Sequence, residues 1–268
     1  MTTKIEPLAV SALSIDGVKY QMHSAIKGGD LPRRTSLPIE LRFLGQQAVD
    51  LARIMPPAWL AEVCEMRGRV CYDQGRRLSF QKTNGSFEDA DEVDLNAYNV
   101  IARSQSRPVG CARVALLAGI RSGVVSCAIG EERITTLLRE LGTTRERACE
   151  ASRWVVVPEF RGELGRRIVA ASWAVARWLC MEVAFVMAGT RQKQDLALTR
   201  MGARPLNAVP FVRSEVFDEE LRLMYFDVLR PPQFMRRHID EAAEALNLFG
   251  SMTRSPSNHA VTGDPFAK

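Results

Sequence analysis

The chain has 268 residues, of which 46% are hydrophobic and 25% charged, so it can bury one substantial core, and wholesale disorder is excluded. Its net charge of +5 comes mainly from arginines spread along the sequence. This pattern argues against a nucleic-acid-binding arm, in which basic residues cluster. The longest apolar stretch, residues 168–189, is interrupted by Arg177 and Glu182, so neither a secretion signal nor a membrane span is expected.

The cysteines and histidines give no sign of a metal site. No CxxC pair occurs, and several cysteines fall on apolar stripes, so they are predicted to be reduced core residues in a cytoplasmic protein. His23, His238 and His259 lie in the N-terminal extension, the last predicted helix and the tail. Neither a zinc site nor a histidine-based catalytic triad is therefore predicted.

The first part of the chain has weak periodicity. Residues 1–45 are interpreted as an N-terminal extension. A short strand is predicted at 49–54, a helix at about 59–75 after two prolines, and a polar loop at 82–91.

The middle of the chain has alternating strands and helices. Strands at 97–102 and 108–117, joined by a polar turn, predict an antiparallel hairpin. A helix at 131–141 follows, and then a β-α-β unit is predicted, with strands at 149–157 and 183–188 around a helix at 163–180.

The last part contains a short helix at 192–201, a strand at 221–229 and a terminal helix. Together these elements predict a single α/β domain over 46–230, a C-terminal helix over 231–249 and a disordered tail over 250–268.

Two arginines fall where apolar residues are expected. Arg67 shares a helical stripe with Leu60, Cys64 and Cys71. Arg113 shares one face of a strand with four apolar residues, namely Val109, Cys111, Ala115 and Leu117. Both guanidinium groups should therefore point inward.

Buried arginines need acidic partners, and Glu92, Asp94 and Glu150 are the candidates. A charge-paired scaffold and a functional site explain such a cluster equally well. In a regular strand Glu150 and Arg153 would face opposite sides, so both serve one site only if a bulge re-aims one of them.

Four short motifs stand in a fixed order on these elements. They are Arg67-Gly68-Arg69-Val70-Cys71, Glu92-Val93-Asp94, Gly110-Cys111-Ala112-Arg113 and Glu150-Ala151-Ser152-Arg153. Over roughly residues 46–230 the chain resembles the GNAT acyltransferase superfamily, and within it the branch of acyl-homoserine-lactone synthases and N-acyl amino acid synthases.

This resemblance implies a mixed α/β (α+β) fold with a mostly antiparallel sheet flanked by helices. It also implies that a charge network flanks the acceptor site, formed by Arg67, Glu92, Asp94, Arg113, Glu150 and Arg153. Lactone synthases usually carry a second aspartate where this chain has Ala97, and an aromatic residue where it has Cys71. Both departures favour the N-acyl amino acid synthases.

The donor site is implied by the loop at residues 161–166. Relatives that use coenzyme A hold its pyrophosphate with a glycine-rich loop at a helix N-terminus. Here Leu164 replaces a glycine and Glu163 would repel a pyrophosphate, although Glu163 also fits a plain first helical turn. Acyl carrier protein is therefore the expected partner, and the residues expected to contact the acyl-phosphopantetheine thioester are Val155, Val156, Val157, Phe160, Arg161, Gly162 and Gly165.

The expected reaction transfers a fatty acyl group to the α-amine of an amino acid, with Glu150 as the general base and no permanently bound cofactor. Arg67, Arg113 or Arg153 would hold the acceptor carboxylate. The acyl tunnel is expected near Val155, and three further lining residues are expected, namely Phe185, Met187 and Phe211. Three alternatives stay open: a lactone synthase that uses S-adenosylmethionine, a coenzyme-A-dependent GNAT enzyme, and a non-catalytic module that binds the carrier protein.

Overall fold

A computed structural model describes residues 14–15, 18–19, 37–44, 56–120, 122–215 and 219–248. The chain divides into two units, Met1–Ser36 and Leu37–Lys268. The first unit contains two short antiparallel strands, β1 (Ser14–Ile15) and β2 (Val18–Lys19). The predicted strand at 49–54 and the predicted tail from 250 lie outside the described residues.

The second unit is built on an eight-stranded sheet. Its strand order is β3-β4-β5-β6-β7-β10-β8, with β9 paired to β10, and every pair is antiparallel except β6 with β7. The strands are β3 (Ile39–Phe43), β4 (Tyr98–Ser104), β5 (Arg107–Leu116), β6 (Ala148–Val156), β7 (Val183–Gly189), β8 (Arg204–Pro205), β9 (Val212–Ser214) and β10 (Glu219–Asp227). The predicted fold class is confirmed.

Six α-helices flank this sheet in the described ranges: α1 (Ala58–Asp73), α2 (Val124–Ile129), α3 (Glu131–Glu140), α4 (Glu163–Trp178), α5 (Gln194–Arg200) and α6 (Gln233–Ala245). Five of them match predicted helices, whereas α2 was not anticipated. Its six residues are too few to show a helical period against their neighbours. None of the described helices combines the length and the apolar character that a bilayer crossing requires.

The edge of the sheet lies within the segment interpreted as an extension. β3 pairs along its whole length with β4, from Ile39 opposite Ala102 to Phe43 opposite Tyr98. The Phe43 and Tyr98 rings stack with their centroids 4.1 Å apart. The sheet therefore begins before residue 46, where the sequence placed the start of the domain.

The predicted hairpin is β4 and β5, and a bulge in it corrects one prediction. Ala102 pairs with Gly110 but Arg103 pairs with Pro108, so Val109 is an extra residue on β5. Val109 consequently packs in the apolar cluster of Ala112, on the face opposite Cys111. Strict alternation had assigned Val109 to the face of Arg113, which is wrong.

One face of the sheet carries the main apolar core under α4 and α6. Helix α4 approaches β5 so closely that a methyl group on Gly110 would lie 2.5 Å from Ile168 Cδ1. Trp173 on α4 is buried and donates a hydrogen bond to the Val228 carbonyl at 3.1 Å.

All six cysteines are free thiols. Four of them are buried as predicted, whereas Cys127 and Cys180 are exposed. Cys127 lies on the unanticipated helix α2 and Cys180 follows the end of α4.

Candidate active site

A bulge in the central strand brings the two charges of the Glu-x-x-Arg motif to one side of the sheet. Arg113 on β5 pairs with Ser152, but Cys111 pairs with Val155, so β6 holds one residue more than β5 in this interval. Arg153 has a positive φ of 56°, a conformation that non-glycine residues seldom adopt. The bulge directs its side chain to the face of Arg113, the condition that the sequence required for a shared site.

Arg67 is the most enclosed member of the cluster. It lies on α1, is fully buried as predicted, and donates to both carboxylate oxygens of Asp94 at 2.8 and 2.7 Å. Its Nε lies 3.5 Å from Asp89 Oδ2, and its Nη2 also donates to the Asp89 carbonyl and to Cys64 Sγ. Both Nη atoms of Arg67 are therefore hydrogen-bonded, whereas its Nε makes an ion-pair contact and no hydrogen bond within the described residues.

Arg113 is also fully buried and links the cluster to the central strands. Its Nη1 donates to Asp91 and, at 3.1 Å, to Asp94, while its Nε donates to Ser152 Oγ at 3.2 Å. Its Nη2 lies 3.8 Å from Glu150 Oε1, an ion-pair contact too long for a hydrogen bond.

Arg153 completes the cluster through two aspartates that the sequence reasoning missed. Its Nη2 lies 2.7 Å from Asp91 Oδ2 and 3.3 Å from Asp89 Oδ1. Asp91 also accepts from the backbone N–H groups of Val93 and Asp94, and so caps a 3₁₀-helix. The spacing of Asp91 and Asp94 is that of a capping box, and this signal was available in the sequence.

Glu92 is not a partner of the buried arginines. It is exposed on the same 3₁₀-helix and hydrogen-bonds to Ser122 instead. The loop before it has no helical or strand period, so the sequence did not indicate which of its carboxylates turn inward. The prediction of Asp94 as a partner is confirmed.

Ion pairing within the cluster favours the charged forms of Asp94 and Arg67. Burial alone would raise the pKa of Asp94, but Arg67 and Arg113 hold that pKa below its usual range. Burial likewise disfavours the charged form of Arg67, yet Asp94 raises the pKa of this guanidinium above its usual value. Three guanidinium groups face four carboxylates, those of Asp89, Asp91, Asp94 and Glu150, so the cluster carries one excess negative charge.

Glu150 is held by the helix that the sequence did not reveal. Its Oε2 accepts a hydrogen bond from the Val125 N–H at 2.8 Å, in the first turn of α2. A methyl group on Gly123 would lie 2.6 Å from this oxygen, so a glycine lets the helix approach. Within the described residues Glu150 Oε1 has no hydrogen-bond partner. One carboxylate oxygen is therefore fixed and the other is available.

The two parallel strands separate directly beyond Glu150. β6 pairs with β7 only from Ala148 to Glu150, although β6 continues to Val156 and β7 to Gly189. A cavity of about 800 Å³ lies beside the separated strands, lined by β6, the N-terminus of α4, α5 and α6. It is large enough for an extended cofactor arm.

The hydrogen-bonding pattern of β6 points one amide towards this gap. The Val157 N–H donates to the Val109 carbonyl at 2.9 Å, so it is not available to polarise a thioester. In an antiparallel ladder the bonded pairs alternate, which turns the N–H of Val156 away from β5. Val156 also lines the large cavity.

The predicted thioester contacts are largely brought together. Val155, Val156, Arg161, Gly162 and Gly165 line the large cavity, whereas Val157 and Phe160 are not among the lining residues.

Glu163 and the predicted tunnel residues Phe185 and Phe211 do not line the large cavity. Glu163 is exposed, pairs with Arg166 at 3.2 Å and does not line the cavity. Of the predicted tunnel residues, Phe185 is buried in a separate apolar cluster and Phe211 is exposed under Arg222.

A second cavity of about 50 Å³ adjoins the first and opens onto the charge cluster. Asp89, Glu150, Ser152, Arg153 and Met187 line it. The two cavities share five lining residues, Cys71, Arg76, Trp154, Val155 and Gln194. Of the three clustered arginines, Arg153 lines the second cavity, whereas Arg67 and Arg113 line neither of these two cavities.

The nearby thiols are not suited to nucleophilic attack. Burial raises the pKa of Cys64 and that of Cys111 to about 12. Burial also raises the pKa of Cys71, which lies between the two cavities. These side chains stay protonated near neutral pH, and the thiolate is the reactive form.

Comparison with known proteins supports the fold. No family model and no curated protein matches the sequence. Among solved structures, the CoA-dependent acyl-homoserine lactone synthase BjaI with SAM and isopentyl-CoA is 15% identical, with a TM-score of 0.53 over 78% of this chain and 88% of that chain. TofI, in a ternary complex with an inhibitor and MTA, is 16% identical, with a TM-score of 0.52 over 76% and 97% of the two chains.

A third structure, the CoA-dependent acyl-homoserine lactone synthase MesI, is 16% identical, with a TM-score of 0.50 over 78% of this chain and 95% of that chain. At these identities the likeness shows the fold. The resemblance inferred from the four motifs is therefore confirmed at the level of the fold.

Proposed function

We propose that this protein is an acyltransferase that moves a fatty acyl group from a phosphopantetheine thioester to the α-amine of an amino acid. The observation that carries the proposal is the meeting of two cavities at the separation of β6 and β7. The larger has room for a thioester arm beside Val156, and Glu150 lines the smaller.

The large cavity fits an anionic donor. Arg161, Arg166 and Arg200 line it, and the N-terminus of α4 opens onto it at Gly162. Arginine side chains and helix N-termini both favour phosphate groups. BjaI, which shares the fold, was solved with isopentyl-CoA.

The small cavity has groups for both charges of an amino acid. The carboxylates of Asp89 and Glu150 line it and suit an ammonium group, and of the three clustered arginines Arg153 is the one positioned to contact an acceptor carboxylate. Arg67 and Arg113 are buried against their carboxylates and position the cluster. The sequence left the acceptor contact open among three arginines, and Arg153 is the one that we propose for it.

The reaction then proceeds by aminolysis. Glu150 Oε1 takes a proton from the α-ammonium, directly or through one water, and the free amine attacks the thioester carbonyl. The Val156 N–H donates to the developing oxyanion. Collapse of the tetrahedral intermediate breaks the C–S bond, and the pantetheine thiol leaves with a proton. General-base catalysis of this kind contributes about 10²- to 10⁴-fold in rate.

Two molecules are candidates for the carrier of the phosphopantetheine arm. Acyl carrier protein fits the net charge of +5, because its own body is acidic. Coenzyme A is the second candidate. It is favoured by Arg161, Arg166 and Arg200 in the cavity and by the outward position of Glu163, which removes the expected repulsion of a pyrophosphate.

A lactone synthase acting on S-adenosylmethionine is the second candidate for the overall reaction. Ala97 is fully buried and supplies no carboxylate, which is unlike the usual pattern of those enzymes. Asp89 and Asp91, however, bring two further carboxylates into the cluster. BjaI was solved with SAM.

The test is the production of acylated lipids in a bacterial host. The chain, Glu150→Gln and the surface control Glu163→Gln are expressed in parallel, and lipid extracts are compared by mass spectrometry. N-acyl amino acids that disappear only with Glu150→Gln are expected. Acyl lactones in their place would transfer the assignment to the lactone synthases.

The donor is then resolved with purified protein by comparing acyl carrier protein and coenzyme A thioesters at equal concentration. Carrier-protein binding without turnover of any donor or amine would contradict the enzymatic proposal and favour a non-catalytic module.

A further inference from the structure

A second buried carboxylate lies outside the charge cluster. Glu219 is the first residue of β10 and is 2% exposed. Its Oε1 accepts a hydrogen bond from Arg76 Nη2 at 2.8 Å. Arg76 follows α1 and lines both cavities, whereas Glu219 lines only the large one. This pair thus belongs to the wall of the proposed donor site.

One carboxylate oxygen of Glu219 accepts no hydrogen bond from the described residues. In the part of the chain that the structure describes, its Oε2 is buried and has no hydrogen-bond partner. The carboxylate lies directly over Gly189 on β7, where any side chain would overlap it. A buried charged acceptor left unsatisfied is costly, so the position favours a ligand that brings a hydrogen-bond donor.

The charges around Glu219 indicate which kind of ligand brings this hydrogen-bond donor. Among the described residues, four arginines line the large cavity, namely Arg76, Arg161, Arg166 and Arg200, and Glu219 is the only carboxylate that does. A cavity of this charge selects an anionic ligand. The ligand that meets Glu219 therefore carries a neutral N–H or O–H group some distance from its own anionic group.

Building on the proposed function, we propose that Glu219 Oε2 accepts a hydrogen bond from an amide N–H of the phosphopantetheine arm. The arm has a phosphate at one end and two amide N–H groups along its length, which matches this combination of charges. Glu219 is then a specificity-determining residue for the donor, with Arg76 fixing its orientation. It acts in binding and takes no part in proton transfer.

The test compares phosphopantetheine with two analogues in which one or the other amide N–H is replaced by an ester oxygen. Binding to the full-length protein is measured by calorimetry, which needs no turnover. The wild-type protein should bind one ester analogue about tenfold or more weakly than phosphopantetheine, because a hydrogen bond to a charged group is lost. In Glu219→Gln, whose Oε1 still accepts from Arg76, the preference for the amide should fall to about twofold or less.

Two further variants separate a binding role from a structural one. Glu163→Gln, on the exposed turn of α4, should keep the full amide preference. Gly189→Ala should reduce the preference, because its methyl group displaces the Glu219 carboxylate without changing any charge. Thermal melting confirms that each variant is folded.

An equal amide preference in the wild-type protein and Glu219→Gln would overturn the role of Glu219 and leave the proposed reaction standing. Failure of the wild-type protein to bind phosphopantetheine, while it still transfers acyl groups from another thioester, would also overturn this role. Failure both to bind phosphopantetheine and to transfer acyl groups would reject the proposed function together with the inference.

Discussion

The two faces of the central sheet use β5 in opposite ways. Gly110, Ala112 and Val114 lie on the face of α4, which is apolar and packed closely enough to exclude a methyl group. Cys111 and Arg113 lie on the other face, where three arginines and their acidic partners are buried. The apolar face stabilises the fold through buried area, whereas the charged face fixes the orientation of Glu150 and Arg153.

Removal of Arg67 from the charged face should give the largest loss of stability. Arg67→Leu leaves Asp94 and Asp89 buried beside an apolar side chain, so the free energy of unfolding should fall by about 3–5 kcal/mol. The matched control on the same helix is Arg69→Leu, which removes an exposed pair with Glu65 and should cost about 1 kcal/mol or less. Chemical denaturation measures both, and similar losses would show that burial of the cluster adds nothing.

Acid should weaken the charged face selectively. The pKa of Asp94 is lower in the folded chain than in the unfolded chain, so the unfolded chain binds more protons as the pH falls. The stability from Asp94 is therefore complete above about pH 4, the ordinary aspartate value, and is lost as the pH falls towards the folded pKa. The free energy of unfolding, measured by denaturation at several pH values between 7 and 3, should fall more steeply for the wild-type protein than for Asp94→Asn. The same pH dependence in both proteins would contradict the assignment of this stability to Asp94.

Overpacking of the apolar face should reduce the free energy of unfolding by a smaller amount. Gly110→Ala brings a methyl group against Ile168 Cδ1 and should destabilise the protein by about 1–3 kcal/mol. Ile168→Val removes Cδ1 and alone should cost about 0.5–1.5 kcal/mol. The double variant should lose clearly less than the sum of the two single losses, since the methyl group then occupies the vacated space. Additive losses would mean that the backbone, and not Ile168, resists the substitution.

The smallest effect is expected at the surface beside the donor cavity. Glu163→Gln removes an exposed ion pair with Arg166, so unfolding should change by no more than about 1 kcal/mol. Because Glu163 does not line the cavity, the apparent affinity for a phosphopantetheine thioester should stay within about twofold, by the same screening argument. A large gain in affinity would mean that Glu163 does repel the donor.

Much of the candidate site was predictable from periodicity. The stripe on α1 placed Arg67 inward, and the alternation on β5 did the same for Arg113. Asp94 was predicted as a partner, and the need for a bulge at Glu150 and Arg153 was recognised. Each of these inferences concerns the side of one regular element on which a residue lies, and the period of that element determines it.

The remaining features depended on how separate segments meet. Asp89 and Asp91 lie in a loop without a period, and Glu150 is fixed by α2, a helix too short to recognise. Glu219 reaches Arg76 across 143 positions of sequence.

The sequence by itself determined the order of the longer helices and central strands, the inward arginines and the position of the Glu-x-x-Arg motif, because local sterics and hydrophobic period act within one segment. Only the tertiary structure decided which carboxylates pair with those arginines, where β6 and β7 separate, and which carboxylate oxygens stay unpaired. These depend on contacts between segments distant along the chain, whose geometry no local pattern specifies.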